Sequence, residues 1–371
     1  MAVPLPQLIR YVEQIAPMYW AQEWDKVGLQ IGDREGQISS LSVTLDVSPG
    51  AVSHAAQIGA QLIIAHHPLI FTPIDNLTRQ EPSSLLLKQI IQNNLNIYIT
   101  HTNFDACVLG GSNLVADLLG LKNRKVLSPV KEKTYKLVVF VPADQAEILR
   151  KAIGDTGAGV IGDYSYCAFQ TSGRGFFQAA VSSHPFVGQA GEMNSLAEVR
   201  LETIVPQAVI PSVLQAIKDN HPYQEPAYDL YPLHNPGTKT GLGVIGDLPQ
   251  PHILPDLAKI LTDKLKLNGL RWVGQSQQEI KQVAICSGSG GDLIKQAKNS
   301  GAQLFISGDF KYHQARQAQM LDLALMDIGH FACENQAMAT LAENLKGWSD
   351  KEGLGVKVEF YQGDNDPFIY F

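Results

Sequence analysis

No apolar run in these 371 residues approaches the ~20 consecutive residues that cross a bilayer, so no membrane span is expected. Cysteine is scarce and scattered. Cys107, Cys167, Cys286 and Cys333 form no CxxC pair, which argues against a disulfide framework and a thiolate zinc knuckle and points to a reducing cytoplasm. Basic charge is in deficit, with 29 Lys and Arg against 36 Asp and Glu for a formal charge of −7. No Lys/Arg cluster marks a local groove, and this balance argues against a nucleic-acid partner. The first residues lack the charged, apolar and small-residue regions of a signal peptide, so none is expected. Leu8, Ile9, Val12 and Ile15 instead share one side of an amphipathic helix. The composition, 45% hydrophobic and 18% charged, is that of a globular chain long enough for two or three domains.

Two segments resemble each other. GAVSHAAQIGAQLIIAHHP (50–68) and GDLIKQAKNSGAQLFISGDF (291–310) both read as helix, Gly-Ala-Gln-Leu turn, buried strand and polar site. With Gly59 placed on Gly301, His66-His67 falls on Gly308-Asp309. Each is preceded by a strand with a polar end and followed by a further helix and strand. The expected architecture is α/β, with two related halves over 1–130 and 235–371 forming one body. Between them, 131–234 reads as an inserted domain with a strand–helix–strand–strand–helix–strand rhythm, a ferredoxin-like signature. Its expected strands include 164–173 and 175–181, and the chain is expected to enter it near 128–133 and leave near 233–241.

In open α/β sheets ligands gather at the carboxyl ends of strands, and the polar residues of both halves fall there. Asp46 ends one strand, His66-His67-Pro68 the next, and His101 with Asp105 the third. Asp309 and His313 follow a strand of the second half, and Asp327, His330 and Glu334 follow another. GHFACENQAM turns helical after Gly329, which puts His330 and Glu334 four apart on one face, a spacing that offers an imidazole and a carboxylate to a divalent cation. His66 and His67 point to opposite sides while the strand lasts. Beyond it they can diverge to two metals sharing a carboxylate, with the ions about 3.5–4 Å apart, a design suited to hydrolysis.

Each reading has a structural counterpart. A strand-end histidine is commonly a hydrogen-bonded scaffold residue, and HxxxE is commonly a surface pair. HTNFDA serves equally as an Asx turn or helix cap. SGSGG (287–291) is either a phosphate cradle or a plain turn, since the P-loop Lys-Ser/Thr is missing. The cysteines read as structural. HPYQEPAYDLYPL (221–233) suits loop packing, an interface or a ligand site.

Five ordered motifs nonetheless carry a resemblance over essentially the whole chain: EWDKVGLQIG (23–32), LIIAHHPLIF (62–71), THTNFDA (100–106), SGDFKYH (307–313) and GHFACE (329–334). In these the chain resembles the GTP cyclohydrolase I type 2, or NIF three-like, family, in its longer bacterial form with a PII/CutA-like insert. The resemblance implies two divalent ions per chain, Zn, Mn, Fe or Co, on His66, His67, Asp105, His330 and Glu334. It implies that Asp46 and His101 orient ligand imidazoles, that Lys311 and His313 line the same cavity, and that His313 contacts substrate or transfers a proton. It also implies a toroidal homohexamer with the metal sites facing inward. One departure is visible: Lys26 stands where the family motif has Asn, which bears on loop packing or substrate preference.

The function expected is a dinuclear-metal hydrolase acting on a nucleotide, by resemblance a GTP cyclohydrolase. A phosphoesterase is the alternative enzyme, and a non-catalytic metal-binding regulatory or scaffold protein is the alternative of a different class.

Overall fold

The structure is a computed structural model and describes residues 2–78, 81–130, 133–162, 164–182, 185–235 and 240–369. The chain divides into two compact units, Met1–Val130 with Thr240–Phe371, and Lys131–Lys239. The expected crossings near 128–133 and 233–241 pass through 131–132 and 236–239, which lie outside the described residues.

The first unit contains a five-stranded and a six-stranded sheet. In the first, Ser40–Thr44, Leu62–Ala65 and Asn96–Ile99 run parallel, with Gly28–Ile31 antiparallel at one edge. In the second, Glu279–Ile285, Leu304–Ser307 and Ala324–Asp327 run parallel, with Arg271–Val273 antiparallel at the corresponding edge. The two halves therefore repeat one order of elements. Leu62, Ile63, Ile64 and Ala65 have no exposed surface, as a central parallel strand covered on both faces requires.

The Gly-Ala-Gln-Leu turns have the same physical role in both halves. Gly59 (φ +63°) and Gly301 (φ +96°) adopt the left-handed conformation that ends the preceding helix. Two residues on, Gln61 Oε1 accepts from the backbone N–H of Ser39 (2.8 Å) and Ser40 (3.0 Å). Gln303 Oε1 accepts likewise from Lys281 (2.7 Å) and Gln282 (3.1 Å). Each glutamine satisfies the start of the neighbouring strand.

The halves are not separate in space. Lys357–Phe360 leaves the second half and pairs parallel to Ser40–Thr44. Lys122–Pro129 leaves the first half and pairs antiparallel to Gly241–Ile253 in the other sheet. The cores interlock in the same way: Met338, Leu341 and Leu345 of the helix Phe331–Lys351 pack with Leu41, Val43, Leu62 and Ile64. Val115 and Ala116 of the helix Gly111–Leu118 pack with Val283, Ile285 and Leu304. Each sheet thus gains a strand and an apolar helix face from the opposite half, an exchange that local periodicity does not reveal.

The second unit is a four-stranded antiparallel sheet in the order Tyr228–Leu233, Thr134–Pro142, Met193–Pro206, Ala168–Gln178. The helices Ala146–Asp155 and Ile210–Asn220 contribute Leu149, Ile153, Val213 and Ile217 to a core with Leu137, Val139, Val199 and Leu201. One expectation is corrected here. The two short strands over 164–173 and 175–181 are one strand, Ala168–Gln178. Gly173 and Gly175 read as a break, yet both stay in register with the neighbouring strand. A Cβ at Gly175 would meet Glu198 Oε2 at 2.0 Å, so that glycine admits a side chain rather than turning the chain. Among the described residues no helix is long and apolar enough to cross a membrane.

Candidate metal centre

The strand ends converge as the Gly-Ala-Gln-Leu repeat implies. After Ala65 the backbone N–H groups of His66 and His67 both reach the Leu45 carbonyl, at 3.1 Å each. His66 is 1% exposed, and its Nδ1 donates to the Thr100 carbonyl at 2.9 Å. A carbonyl only accepts, so Nδ1 carries the proton and Nε2 presents a lone pair. Burial pushes the His66 imidazole down to about 3, which keeps that lone pair free.

Three further imidazoles are held by the same device. His67 Nδ1 donates to Asp46 Oδ1 at 2.8 Å, His330 Nδ1 to Asp309 Oδ2 at 2.8 Å, and His101 Nδ1 to Asp25 Oδ1 at 2.9 Å. Anchoring Nδ1 on a carboxylate or carbonyl fixes ring orientation and leaves Nε2 to face a common centre, the arrangement found around metal-ligating histidines. Burial opposes ionisation of Asp25, but hydrogen bonds from His101 and Thr102 prevail and hold it at about 2.

Glu334 lies at that centre. Its Oε2 is 3.0 Å from His330 Nε2, 3.3 Å from His67 Nε2 and 3.8 Å from His66 Nε2. Its side chain is 3% exposed. Burial alone would raise its pKa, yet the hydrogen bond with His330 and the charges and contacts of the other imidazoles hold it well below the carboxylate range. Conversely, hydrogen bonding to Glu334 overcomes burial and pushes His330 up to about 9. Burial would lower His67, but hydrogen bonds to Asp46 and Glu334 outweigh it and push the ring up to about 10. Asp105 Oδ1 lies 3.7 Å from His66 Nε2, and burial beside Glu334 raises it well above the usual range.

Three sets of donor atoms lie mutually within 4.8 Å: His66, His67 and His101; His67, His330 and Glu334; His66, Asp105 and Glu334. His66 Nε2 is buried without a hydrogen-bond partner and faces the buried Glu334 carboxylate at 3.8 Å. A buried acceptor with no donor costs about 1–3 kcal/mol. A cation between the two groups removes that cost, so the residues present fit a divalent metal.

All five residues assigned as ligands from sequence, His66, His67, Asp105, His330 and Glu334, are brought together. Asp46 orients His67. His101, read as an orienting residue, stands at ligand distance itself, and Asp25 of EWDKVG is the group that orients it. The spacing His101-x-x-x-Asp105 mirrors His330-x-x-x-Glu334, a signal that places His101 among the donors. Asp309, aligned with His67 by the repeat, holds His330 from a left-handed backbone at φ +56°. The SGSGG segment serves as wall: Ser287 Oγ donates to Asp105 Oδ1 at 3.3 Å, and a Cβ on Gly288 would meet Glu334 Oε1 at 2.3 Å.

Lys311 and His313 are placed differently from expectation. Lys311 lines a separate concavity of about 230 Å³ with Trp272 and Phe310. His313 is exposed at the start of the helix Tyr312–Met320, in ring contact with Tyr312, and belongs to none of the donor sets nor to the cavity beside them. The two residues follow the strand Leu304–Ser307, but the helix that starts at Tyr312 carries His313 outward.

An open cavity of about 640 Å³ adjoins His67 and His330. Asp46, Asp309, Arg271, Phe331 and the terminal segment 365–369 contribute to its wall. Among the described residues that line it, Arg271 is the only Lys or Arg. Its Nε and Nη2 donate to Asp327 Oδ2 at 3.0 and 2.8 Å, and Nη2 also donates to the Phe310 carbonyl at 2.7 Å.

The same chain organisation occurs in known proteins. The family model Duf34/NIF3 (NGG1p interacting factor 3) matches residues 3–367. A Bacillus subtilis protein named GTP cyclohydrolase 1 type 2 homolog is 37% identical over 365 residues, 98% of each chain. A protein of the same name from Halalkalibacterium halodurans is 39% identical over 364 residues, again 98% of each. The crystal structure of a Bacillus cereus protein related to NIF3 superposes with a TM-score of 0.84 at 38% identity, covering 100% of this chain and 99% of the other. With its fold and nearly its full length matched, the chain belongs to the Duf34/NIF3 family.

Proposed function

We propose that this protein is a dinuclear divalent-metal-dependent hydrolase acting on a nucleotide or related phosphorylated small molecule. The observation that carries the reading is the buried, unpartnered His66 Nε2 facing the buried Glu334 carboxylate, inside a ring of anchored imidazoles. Six donors exceed the four that one tetrahedral ion takes. They form three overlapping sets, His66 with His67 and His101, His67 with His330 and Glu334, and His66 with Asp105 and Glu334, so His66, His67 and Glu334 are each shared by two. Zn, Mn, Fe and Co all suit this mixture of imidazole and carboxylate. When bound, such ions supply Lewis acidity and an activated water at neutral pH.

The chain's own residues supply the rest. Asp46, Asp309, Asp25 and the Thr100 carbonyl hold the rings so that only Nε2 faces inward. Arg271 offers the cavity's cation to an anionic group, and Phe331 and Phe368 offer apolar surface to a flat ring. The names of the relatives favour GTP, with attack at the purine imidazole carbon; a phosphoester is the rival substrate. We further read the second unit as a ferredoxin-like, PII/CutA-like insert, supported by its strand order, and the assembly as a cytoplasmic toroidal homohexamer. His313, on its exposed helix, takes no part in the reaction as drawn.

The test is turnover by purified chain reconstituted with Mn²⁺, Zn²⁺ or Fe²⁺. Formate release from GTP, lost on chelation and in His66→Ala, supports the cyclohydrolase reading. Hydrolysis of a model phosphoester alone moves the assignment to phosphoesterase. Two bound ions per chain without turnover of either substrate overturns the enzyme reading and leaves the metal-binding scaffold.

A further inference from the structure

The terminal segment after Phe360 was silent in the sequence, yet it is tied to the metal centre. Tyr361 N–H donates to the Val43 carbonyl at 2.8 Å and extends the pairing of the last strand. Three residues on, Asp364 Oδ2 accepts from Thr44 Oγ1 at 2.6 Å, from Leu45 N–H at 3.2 Å and from Asp46 N–H at 3.4 Å. These are the last residue of the strand Ser40–Thr44 and the two that follow it.

Leu45 and Asp46 are where the centre is suspended. The Leu45 carbonyl takes the backbone N–H of both His66 and His67, and the Asp46 carboxylate takes His67 Nδ1. The Asp46 side chain is 54% exposed, so packing does not immobilise it. Beyond the sheet, the N–H groups of Leu45 and Asp46 find their acceptor in Asp364. After this pin, residues 365–369 run on as wall of the metal-side cavity.

We propose that Asp364 is a positioning residue for the metal centre: by holding the backbone of Thr44–Asp46 it sets the Asp46 carboxylate against His67 and so aims His67 Nε2. The inference rests on the metal reading but not on turnover, and it assigns the terminal segment a place in the site. Loss of a group that orients a ligand weakens metal affinity by about 10–100-fold. Asp364 acts one bond further away, so its removal belongs at the lower end of that range.

The experiment measures Zn²⁺ affinity of the full-length, metal-stripped chain by competition with a chromogenic chelator. Asp364→Ala is expected to weaken one ion by about tenfold, while Asp364→Asn, which keeps an acceptor oxygen, stays near wild type. Asp46→Ala and the double variant Asp46→Ala/Asp364→Ala are expected to be alike, because both remove the same restraint on His67. Unchanged affinity in a folded Asp364→Ala, or fully additive losses in the double variant, overturns the proposal. Where Asp364→Ala does not fold, Thr44→Val removes the shortest of the three contacts, and wild-type affinity in that variant overturns it equally. A wild-type chain that binds no Zn²⁺ sinks the metal reading as well, which distinguishes the two failures.

Discussion

His66 Nε2 and Glu334 Oε2 face each other at 3.8 Å with no hydrogen to share, because His66 has already given its proton to the Thr100 carbonyl. His66 Nε2 has no other hydrogen-bond partner, whereas Glu334 Oε2 also meets His330 and His67 Nε2 at 3.0 and 3.3 Å. Glu334 belongs to two of the three donor sets, as do His66 and His67.

Replacing Glu334 is therefore expected to cost more metal than replacing an imidazole that belongs to a single set, such as His101. Glu334→Ala should bring the divalent ion content of purified protein close to zero. His101→Ala should lower affinity at one ion only, since His101 belongs to one set. Elemental analysis of both variants after loading decides it, and equal losses would contradict the shared role of Glu334.

Metal removal is expected to lower thermal stability. A ligand that binds only the folded chain stabilises it by about 2.7 kcal/mol at one hundred times its dissociation constant. Chelation should lower the melting temperature by several degrees in wild type and change little in Glu334→Ala. Calorimetric scans with and without chelator measure the difference.

Metal uptake at pH 7 is expected to expel protons. In the metal-free chain His67 titrates at about 10 and His330 at about 9, so both rings are charged at neutral pH and each must lose a proton to donate Nε2. Affinity should rise with pH through this range. The sign for the metal-free fold is opposite. Both pKa values are raised, so their stabilising contribution is complete below the ordinary histidine value of about 6.5 and is lost as pH rises through about 9–10. Titration calorimetry in two buffers of different ionisation enthalpy should count about two protons released per loaded chain at pH 7. A count of zero would refute the charged state of these rings.

The two glutamines of the repeat are expected to be equivalent in energy. Gln61→Ala and Gln303→Ala each remove the side-chain acceptor of two backbone N–H groups on the neighbouring strand, one of them exposed, a loss of about 0.5–1.5 kcal/mol. Chemical denaturation should show similar shifts for both. A neutral result at one site would mean that the repeat is sequence likeness without shared function.

The interlocked cores predict that neither half stands alone. Leu341→Ala should destabilise by about 2–5 kcal/mol although Leu341 lies in the second half and packs on the first sheet. Residues 1–130 expressed by themselves lack the strand Lys357–Phe360 and the helix face that covers Leu41 and Leu62. They should show no cooperative unfolding transition and should bind a dye specific for exposed apolar surface.

Much of this was legible in the linear chain because it depends on local order. Buried runs such as Leu62–Ala65 announce central strands, the Gly59 and Gly301 turns announce the repeat, and strand ends in α/β sheets announce where donors collect. That reasoning reached His66, His67, Asp105, His330 and Glu334. It could not tell that His313 lies exposed at the start of the helix Tyr312–Met320, outside the donor sets, since a residue following a strand can be carried outward by the helix that begins there. It split Ala168–Gln178 at Gly173 and Gly175, of which Gly175 makes room for Glu198.

The sequence by itself determined the donors, since imidazoles and carboxylates at strand ends are a matter of residue type and spacing. Only the tertiary structure decided which of them converge on one centre and which hold the converging rings in place. His101 turns inward because Asp25, 76 residues away, takes its Nδ1; His330 does so because Asp309 takes its own. The structure alone also joined Asp364 to Leu45, across 319 residues. The Asp364 pairing follows from strand exchange between the halves, and the Asp25–His101 and Asp309–His330 pairings close only when the strands of each half are aligned, so no local periodicity encodes them.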